Sequence, residues 1–393
     1  MPSYKYLIIG GGMTADAAAR GIREVDSEGS IGLIGRDPNP PYSRPPLSKG
    51  LWKGKEETSI WRHTQELGVA LHVARQADQL DPKKKLVVDD QHVEYTFDKL
   101  LLATGANPRR LPFGNGQIIY FRSVDDYRRL HALAQTEQRF AVIGGGFIGA
   151  EIAAALAMNN RKVTIMFPET GIGGARFPHD LAGHLNEYYR ARGVEVIGGA
   201  EGRVVGLETH NRRPVLQING GGQIPVDGVV AGIGVTPETT LAETAGLEID
   251  NGIVVNKFLQ TSQPDIYAAG DIASFYNPAL DLRLRVEHED NALTMGKMAG
   301  RAMAGAPEPY NHLPYFYSDL FDLGYEAVGL LNPNAEIVAD WTELYKKGVI
   351  YYLQEGRVRG VLLWNVWDKV EAARQLIADK GPIKADALKG RIK

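Results

Sequence analysis

The chain has 393 residues, with 44 lysines and arginines against 47 aspartates and glutamates and a formal charge of −3. That length holds two or three domains of roughly 100–200 residues, and the balanced charge excludes a chain-wide basic field for holding nucleic acid. No apolar run approaches the ~18 residues of a membrane helix, and cysteine is absent, which removes disulfides, thiolate metal sites, cysteine-bound iron–sulfur clusters and cysteine nucleophiles together. Redox chemistry in such a chain falls to an organic cofactor. The start, Met1-Pro2-Ser3-Tyr4-Lys5, leads directly into an apolar run and a glycine turn. This reading therefore expects no leader peptide and a cytoplasmic location.

In chain order, Tyr6-Leu7-Ile8-Ile9 predicts a strand, Gly10-Gly11-Gly12 a turn, and the alanine-rich stretch from Met13 a helix. A second apolar run follows at Ile31-Gly32-Leu33-Ile34. This βαβ pattern recurs at Ala141-Val142-Ile143, Gly144-Gly145-Gly146, a helix from Phe147, and a strand from Val163 to Phe167. Between the copies, an apolar run from Phe97 ends in Ala103-Thr104-Gly105, and Pro108 and Pro112 mark a change of domain. After the second copy come a strand-like run over 226–231 with Gly234 beyond it, then Ile266-Tyr267-Ala268-Ala269-Gly270-Asp271 and a helical stretch over 287–304. Past Gly305 the texture turns aromatic. Strand-like runs at 348–353 and 358–364, joined by a turn at Gln354-Glu355-Gly356, predict an antiparallel sheet with a helix over 368–378.

The two glycine turns carry a specific physical meaning. A glycine at a strand end permits a tight bend, the next admits the backbone to a pyrophosphate, and the following helix offers free N–H groups to the anion. One such turn is weak; two, each set between a strand and a helix pattern, point to two dinucleotides.

With these residues laid out, the chain resembles the two-dinucleotide-binding flavoprotein reductases along its full length, most of all the apoptosis-inducing-factor-like members, then the ferredoxin and rubredoxin reductases. The resemblance rests on Pro41-Tyr-Ser-Arg44-Pro-Pro-Leu-Ser-Lys49, Gly144-Gly-Gly-Phe-Ile-Gly-Ala-Glu151, Phe167-Pro-Glu169, Ile266-Tyr-Ala-Ala-Gly-Asp271 and Val286-Glu-His288. Tyr317-Ser-Asp319, Gly324-Tyr-Glu326 and Leu363-Trp-Asn365 complete it. It implies an α/β chain of glutathione-reductase-like architecture, with two Rossmann-like three-layer domains and a C-terminal α+β domain. The implied parts are an FAD domain of residues 1–112 and 243–305, an NAD(P)H domain of 113–242 and a third domain of 306–393.

The same resemblance assigns residues. The FAD set is Gly10, Gly12, Thr14, Ala15, Arg44, Ala103, Thr104, Gly105, Arg122, Gly270, Asp271, Glu287 and His288. Asp271 is equally a helix-cap residue type. Where the family places an acid on the FAD ribose, this chain has Arg36, with Asp37 next to it. Lys49 falls beside the flavin, paired with Glu151, because a buried lysine needs a counter-charge. His288 is assigned to positioning and hydrogen bonding at the flavin; with Lys49 and Glu151 it makes up the catalytic set. Gly145, Gly146, Phe147, Ile148 and Glu169 fall to the nicotinamide dinucleotide, with Gly234, Glu326 and Asn365 on its nicotinamide side. Tyr317 takes the place of a tryptophan beside the flavin. A carboxylate at Glu169 repels a 2′-phosphate and favours NADH over NADPH, although Arg161, Lys162 and Arg176 leave NADPH open. No metal is expected. The implied activity is hydride transfer from NADH to FAD, with electrons leaving to a ferredoxin, a rubredoxin or a quinone. The alternative is a redox-gated interaction protein that dimerises on reduction, and a homodimer is an expectation under either.

Overall fold

Tyr6, Leu7, Ile8 and Ile9 are all buried, on both faces of their strand, as central strands of parallel sheets are. The computed structural model describes residues 1–114, 116–211 and 213–392. Its contacts divide the chain into two units, one of residues 1–43, 57–107 and 236–316, the other of 44–56, 108–235 and 317–393.

In the first unit the parallel strands Val69–Val73, Ile31–Gly35, Ser3–Ile9 and Glu94–Leu102 lie in that order, and Ile266–Ala268 joins the last of them. The antiparallel pair Leu86–Asp89 and Ala77–Asp81 extends the sheet. Register brings Ile9 level with Ile34 and Leu102, and Leu102 level with Ala268. The turns that follow these strands therefore open along one carboxyl edge, where parallel sheets bind ligands. The helices Met13–Arg23 and Glu289–Met303 pack on each other, with their small residues turned inward. The second of them is the helix expected over 287–304, begun two residues later because His288 is extended and serves as its N-cap.

The second unit repeats the plan. Val194–Ile197, Lys162–Met166, Arg139–Ile143, Gly228–Ala231 and Ile118–Tyr120 form a parallel sheet in that order. Ile143 is level with Met166 and Ala231, which again aligns the strand ends. A three-stranded antiparallel sheet (Val204–His210, Arg213–Ile218, Gln223–Pro225) adjoins it in sequence. The aromatic C-terminal stretch folds into five antiparallel strands ordered Tyr315–Leu320, Leu323–Gly329, Arg357–Trp364, Lys347–Gln354 and Glu336–Glu343. The helix Val370–Ala378 packs on the middle of this sheet. Residues 44–56 form two short 3₁₀ turns, Pro45–Ser48 and Gly50–Lys53, with Pro45 and Pro46 preset for the first.

The hairpin in the first sheet contains an acid lock. Asp89 is buried and accepts the N–H groups of Gln91 and Val93 at 2.9 Å each, the Arg75 guanidinium at 2.7 Å and the Tyr95 hydroxyl at 2.8 Å. Burial alone would raise its pKa. These donors outweigh it and hold the carboxyl at about 2, against an ordinary 3.8. A folded-state pKa below the unfolded one gives stability that is complete above pH 3.8 and lost as pH falls towards 2. Thermal unfolding of wild type and Asp89→Asn between pH 6 and 2 is expected to show a deficit of roughly 2 kcal/mol in the variant near neutrality. That deficit closes across the acid window.

Candidate active site

Gly10 ends the first strand at φ +127°, a conformation side chains other than hydrogen rarely adopt. A Cβ there would lie 2.1 Å from the Ala103 carbonyl oxygen. Gly12 is the N-cap of the helix Met13–Arg23, has no side-chain cap, and looks onto open space where a Cβ would meet nothing within 4 Å. The second unit has the same design. Gly144 sits at φ +111° with its Cβ position 2.4 Å from the Gly232 oxygen, and Gly146 is the uncapped N-cap of Phe147–Met158 with open space beside it. Each turn thus pairs a glycine that the fold requires with one that leaves room, in front of a helix N-terminus whose N-cap carries no side chain to cap it. Both fit a pyrophosphate.

Around the first turn the structure brings together most of the expected FAD residues. Thr14 and Ala15 are buried in the first turn of the helix, and Gly270 (φ +77°) must be glycine because a Cβ would meet Thr14 Oγ1 at 2.3 Å. Thr104 donates to the Glu238 carbonyl at 2.9 Å, and Glu238 N–H returns to Gly105 at 3.0 Å. Asp271 lies within the 3₁₀ turn Gly270–Ile272. The Arg285 guanidinium donates to its carbonyl at 3.0 Å and pairs with Glu287 at 2.6 Å. His288 stacks on Phe316 with centroids 4.4 Å apart. Nearby, Asp290 in the first turn of the helix takes His312 Nε2 at 2.5 Å.

At the ribose position the two candidates behave differently. Asp37 is occupied: one oxygen takes the backbone and side-chain N–H groups of Asn39, the other the Tyr42 hydroxyl at 2.8 Å. Arg36 is exposed and donates to Asn107 Oδ1 at 2.6 Å, and Asn107 in turn donates to the Glu238 carboxylate. Glu238 and Arg285 were not anticipated. They come from loops far along the chain, with no motif to mark them.

In the second unit Lys49 Nζ lies 2.7 Å from Glu151 Oε1, with side chains 14% and 2% exposed. Ser48 Oγ donates to Glu151 Oε2 at 2.5 Å, and Ser318 Oγ donates to Oε1. The ammonium stands 5.2 Å from the centre of the Tyr317 ring. The fully buried Tyr189 and Tyr325 have hydroxyls held far above the ordinary tyrosine range, first by burial and then by the charge of Glu151. This constellation therefore keeps one anion, answered by one cation and two neutral donors. Arg44 donates to the Arg122 carbonyl at 2.7 Å, and Arg122 N–H to Asp126 in the capping box that starts the next helix.

Around the second turn, Arg176 covers the Phe147 ring at 4.6 Å, while Ile148 is 38% exposed in the first helical turn. A Cβ on Gly145 would meet the Phe167 ring at 2.7 Å. Glu169 is exposed past the strand Lys162–Met166. Gly234 takes the Arg109 N–H on its carbonyl at φ +91°. Glu326 is half-buried, with one carboxylate oxygen lacking any hydrogen-bond partner, and its pKa is raised by burial and by the charge of Asp368. An amide N–H₂ is the kind of donor that oxygen lacks. Asn365 is otherwise engaged. At φ +49° it accepts the Gly324 N–H at 2.7 Å and donates to the Lys346 carbonyl at 2.8 Å, so its amide ties two backbone segments together.

Among the described residues no helix is long and apolar enough to cross a membrane, and no cluster of three metal-ligating side chains occurs. Residues 4–296 match the family described as pyridine nucleotide-disulphide oxidoreductase, and 333–379 match the C-terminal family of mitochondrion-associated apoptosis-inducing factor. The chain is 34% identical to apoptosis-inducing factor 1, mitochondrial, of Dictyostelium discoideum, over 97% of this chain and 79% of that one. It is 30% identical to putidaredoxin reductase CamA of Pseudomonas putida, over 97% and 93%. A crystal structure of the covalent putidaredoxin reductase–putidaredoxin complex superposes with a TM-score of 0.91 at 29% identity, over 99% of this chain and 96% of that one. With two nucleotide turns and no cysteine, the chain belongs to the pyridine nucleotide-disulphide oxidoreductase family as an FAD-dependent NAD(P)H oxidoreductase that does without a disulphide.

Proposed function

We propose that the chain oxidises NADH and hands the electrons to a small iron–sulfur carrier protein of the ferredoxin or rubredoxin type. The observation that carries this reading is the buried Lys49–Glu151 pair in a chain with no cysteine. A fixed cation beside a flavin favours negative charge arriving on the ring, and without a thiol relay the electrons must leave to another molecule. Two relatives are named as ferredoxin reductase components, one of them a subunit for 5,5′-dehydrodivanillate O-demethylase.

FAD supplies the hydride-accepting ring, and the residues arrange for it. The turn at Gly10 and Gly12 is assigned its pyrophosphate, Thr14, Ala15, Thr104 and Asp271 the surroundings, and Lys49 the ring, with Glu151 as that lysine's ion-pair partner. His288, stacked on Phe316, positions rather than transfers a proton. Gly146 and Glu169 receive the nicotinamide dinucleotide, and the unpartnered oxygen of Glu326 awaits its carboxamide. We assign residues 1–112 with 243–305 to FAD, 113–242 to NADH and 306–393 to the third domain. A cytoplasmic location and a homodimer go with this reading, and a quinone is the alternative acceptor.

Anaerobic mixing of the FAD-loaded protein with NADH is expected to bleach the flavin's visible band. NADPH should act about tenfold or more slowly, the factor that ~1.4 kcal/mol of repulsion from Glu169 gives. Bleaching by NADPH alone would sink the NADH assignment; failure of the reduced protein to reduce any ferredoxin or rubredoxin offered would sink the acceptor.

The match of residues 333–379 favours a second reading, a redox-gated interaction protein with slow turnover. Light scattering with and without NADH, beside turnover with carrier proteins, separates the two.

A further inference from the structure

We propose that Ser48 and Ser318 are positioning residues for hydride transfer, fixing the Glu151 carboxylate so that Lys49 is presented in one orientation. The inference rests on the assignment of Lys49 to the flavin ring made above.

A carboxylate turns on a broad, roughly two-fold terminal torsion, and a lysine ammonium is a point charge on a flexible four-carbon stem. A lone Lys–Glu contact therefore leaves both groups loose. Here the carboxylate is held on both oxygens, Oε2 by Ser48 at 2.5 Å and Oε1 by Ser318 together with Lys49. Ser48 and Ser318 are only 5% and 1% exposed, and buried hydroxyls persist where they are bonded. Both donors are also chain neighbours of groups that frame the ammonium. Ser48 precedes Lys49 on the proline-stiffened turn Pro45–Ser48, and Ser318 follows Tyr317, whose ring lies 5.2 Å from Nζ. Two adjacent pairs, Ser48-Lys49 and Tyr317-Ser318, thus converge on one carboxylate. Because hydroxyls bring dipoles and not charge, they steady the anion without replacing Lys49 as its counter-ion. A second lysine or arginine in either place would compete for it.

The test uses the FAD-loaded protein with Ser48→Ala, Ser318→Ala, the double variant, Ser48→Thr and Ser318→Thr, with Lys49→Met alongside. Stopped-flow reduction by NADH gives the limiting rate and the NADH Kd separately, and dye equilibration gives the flavin midpoint potential. The double alanine variant is expected to lose about tenfold or more in limiting rate, the scale of one charge-assisted hydrogen bond, with Kd changed less than about twofold. Its midpoint potential should fall, because the negative field of Glu151 is less offset. The threonine variants, which keep the donor, should recover to within about threefold of wild type. Single variants serve if the double variant does not fold. Wild-type rates in the alanine variants, or threonine variants as slow as alanine, would overturn the proposal. If Lys49→Met is itself as fast as wild type, the flavin assignment of Lys49 fails instead. A slow Lys49→Met beside fast serine variants rejects the serine role alone.

Discussion

Glu151→Ala is expected to lower folding stability by about 3–5 kcal/mol, the cost of removing one partner from a buried ion pair, and to abolish rapid reduction by NADH. Three donors are stranded at once: the Lys49 ammonium, whose side chain is only 14% exposed, and the hydroxyls of Ser48 and Ser318. Ser48 and Ser318 are buried, on the 3₁₀ turn Pro45–Ser48 and the strand Tyr315–Leu320. Glu151→Gln keeps the volume and one acceptor oxygen and is expected to cost less than half as much. The informative variant is the double replacement Lys49→Met with Glu151→Leu. Exchanging a buried pair for apolar groups of similar size is often neutral or stabilising, so this protein should regain most of the lost stability while staying inactive. Denaturant midpoints followed by tryptophan fluorescence, with flavin bleaching in parallel, give the two readings. A double variant as unstable as Glu151→Ala would mean that the pair is held for stability and not for its charge.

The parts of this molecule that were legible in advance are those that local stereochemistry enforces. Gly10 and Gly144 could be read because a backbone at φ +127° and +111°, pressed against a neighbouring carbonyl, admits little else. The parallel strands could be read because burial on both faces leaves an unbroken apolar run, as at Tyr6–Ile9. The hairpin 347–364 announced itself through two β-branched and aromatic runs, buried on both faces, and the Glu355-Gly356 turn between them. The pairing of polar groups across the chain left no such trace. Glu238 meets Asn107, Arg285 meets Asp271 and Ser318 meets Glu151 over separations of 131, 14 and 167 residues. A hydrogen bond needs only one donor in one place, so it imposes no periodicity on the sequence. Asn365 shows the converse. It stands in a family motif, yet its left-handed backbone and its two bonds to main-chain groups give it a structural task that the motif did not disclose.

Asp16→Ala is expected to destabilise the first unit by about 2–4 kcal/mol, because it removes the carboxylate that pairs with Arg62 in a buried polar cluster. Asp16 is fully buried and takes Arg62 Nε at 2.6 Å, Arg20 Nε at 2.9 Å and Thr64 Oγ1 at 2.8 Å. The Arg20 side chain is 44% exposed and can turn to water, so its share is small. Arg62 at 18% and the buried Thr64 cannot follow it. The damage should extend along the chain, since Arg62 Nη1 also holds Ser43 Oγ at 3.2 Å, and Ser43 N–H bonds the Ile60 carbonyl at 2.9 Å. These contacts involve Ser43 and Ile60, which flank residues 44–56 in the sequence, the segment carrying Arg44 and Lys49. Limited proteolysis should therefore nick Asp16→Ala within 44–56 at protease concentrations that leave wild type whole, and Asp16→Asn should lie between them. Acid provides a check on the cause. Burial pushes the Asp16 pKa up, but Arg20, Arg62 and Thr64 outweigh it and hold the carboxyl below its ordinary 3.8. Its contribution is thus complete above pH 3.8 and is lost as pH falls through the lower folded-state value. The gap in thermal stability between wild type and Asp16→Asn should close there, and a gap that persisted unchanged at the lowest pH would assign the loss to packing instead of charge.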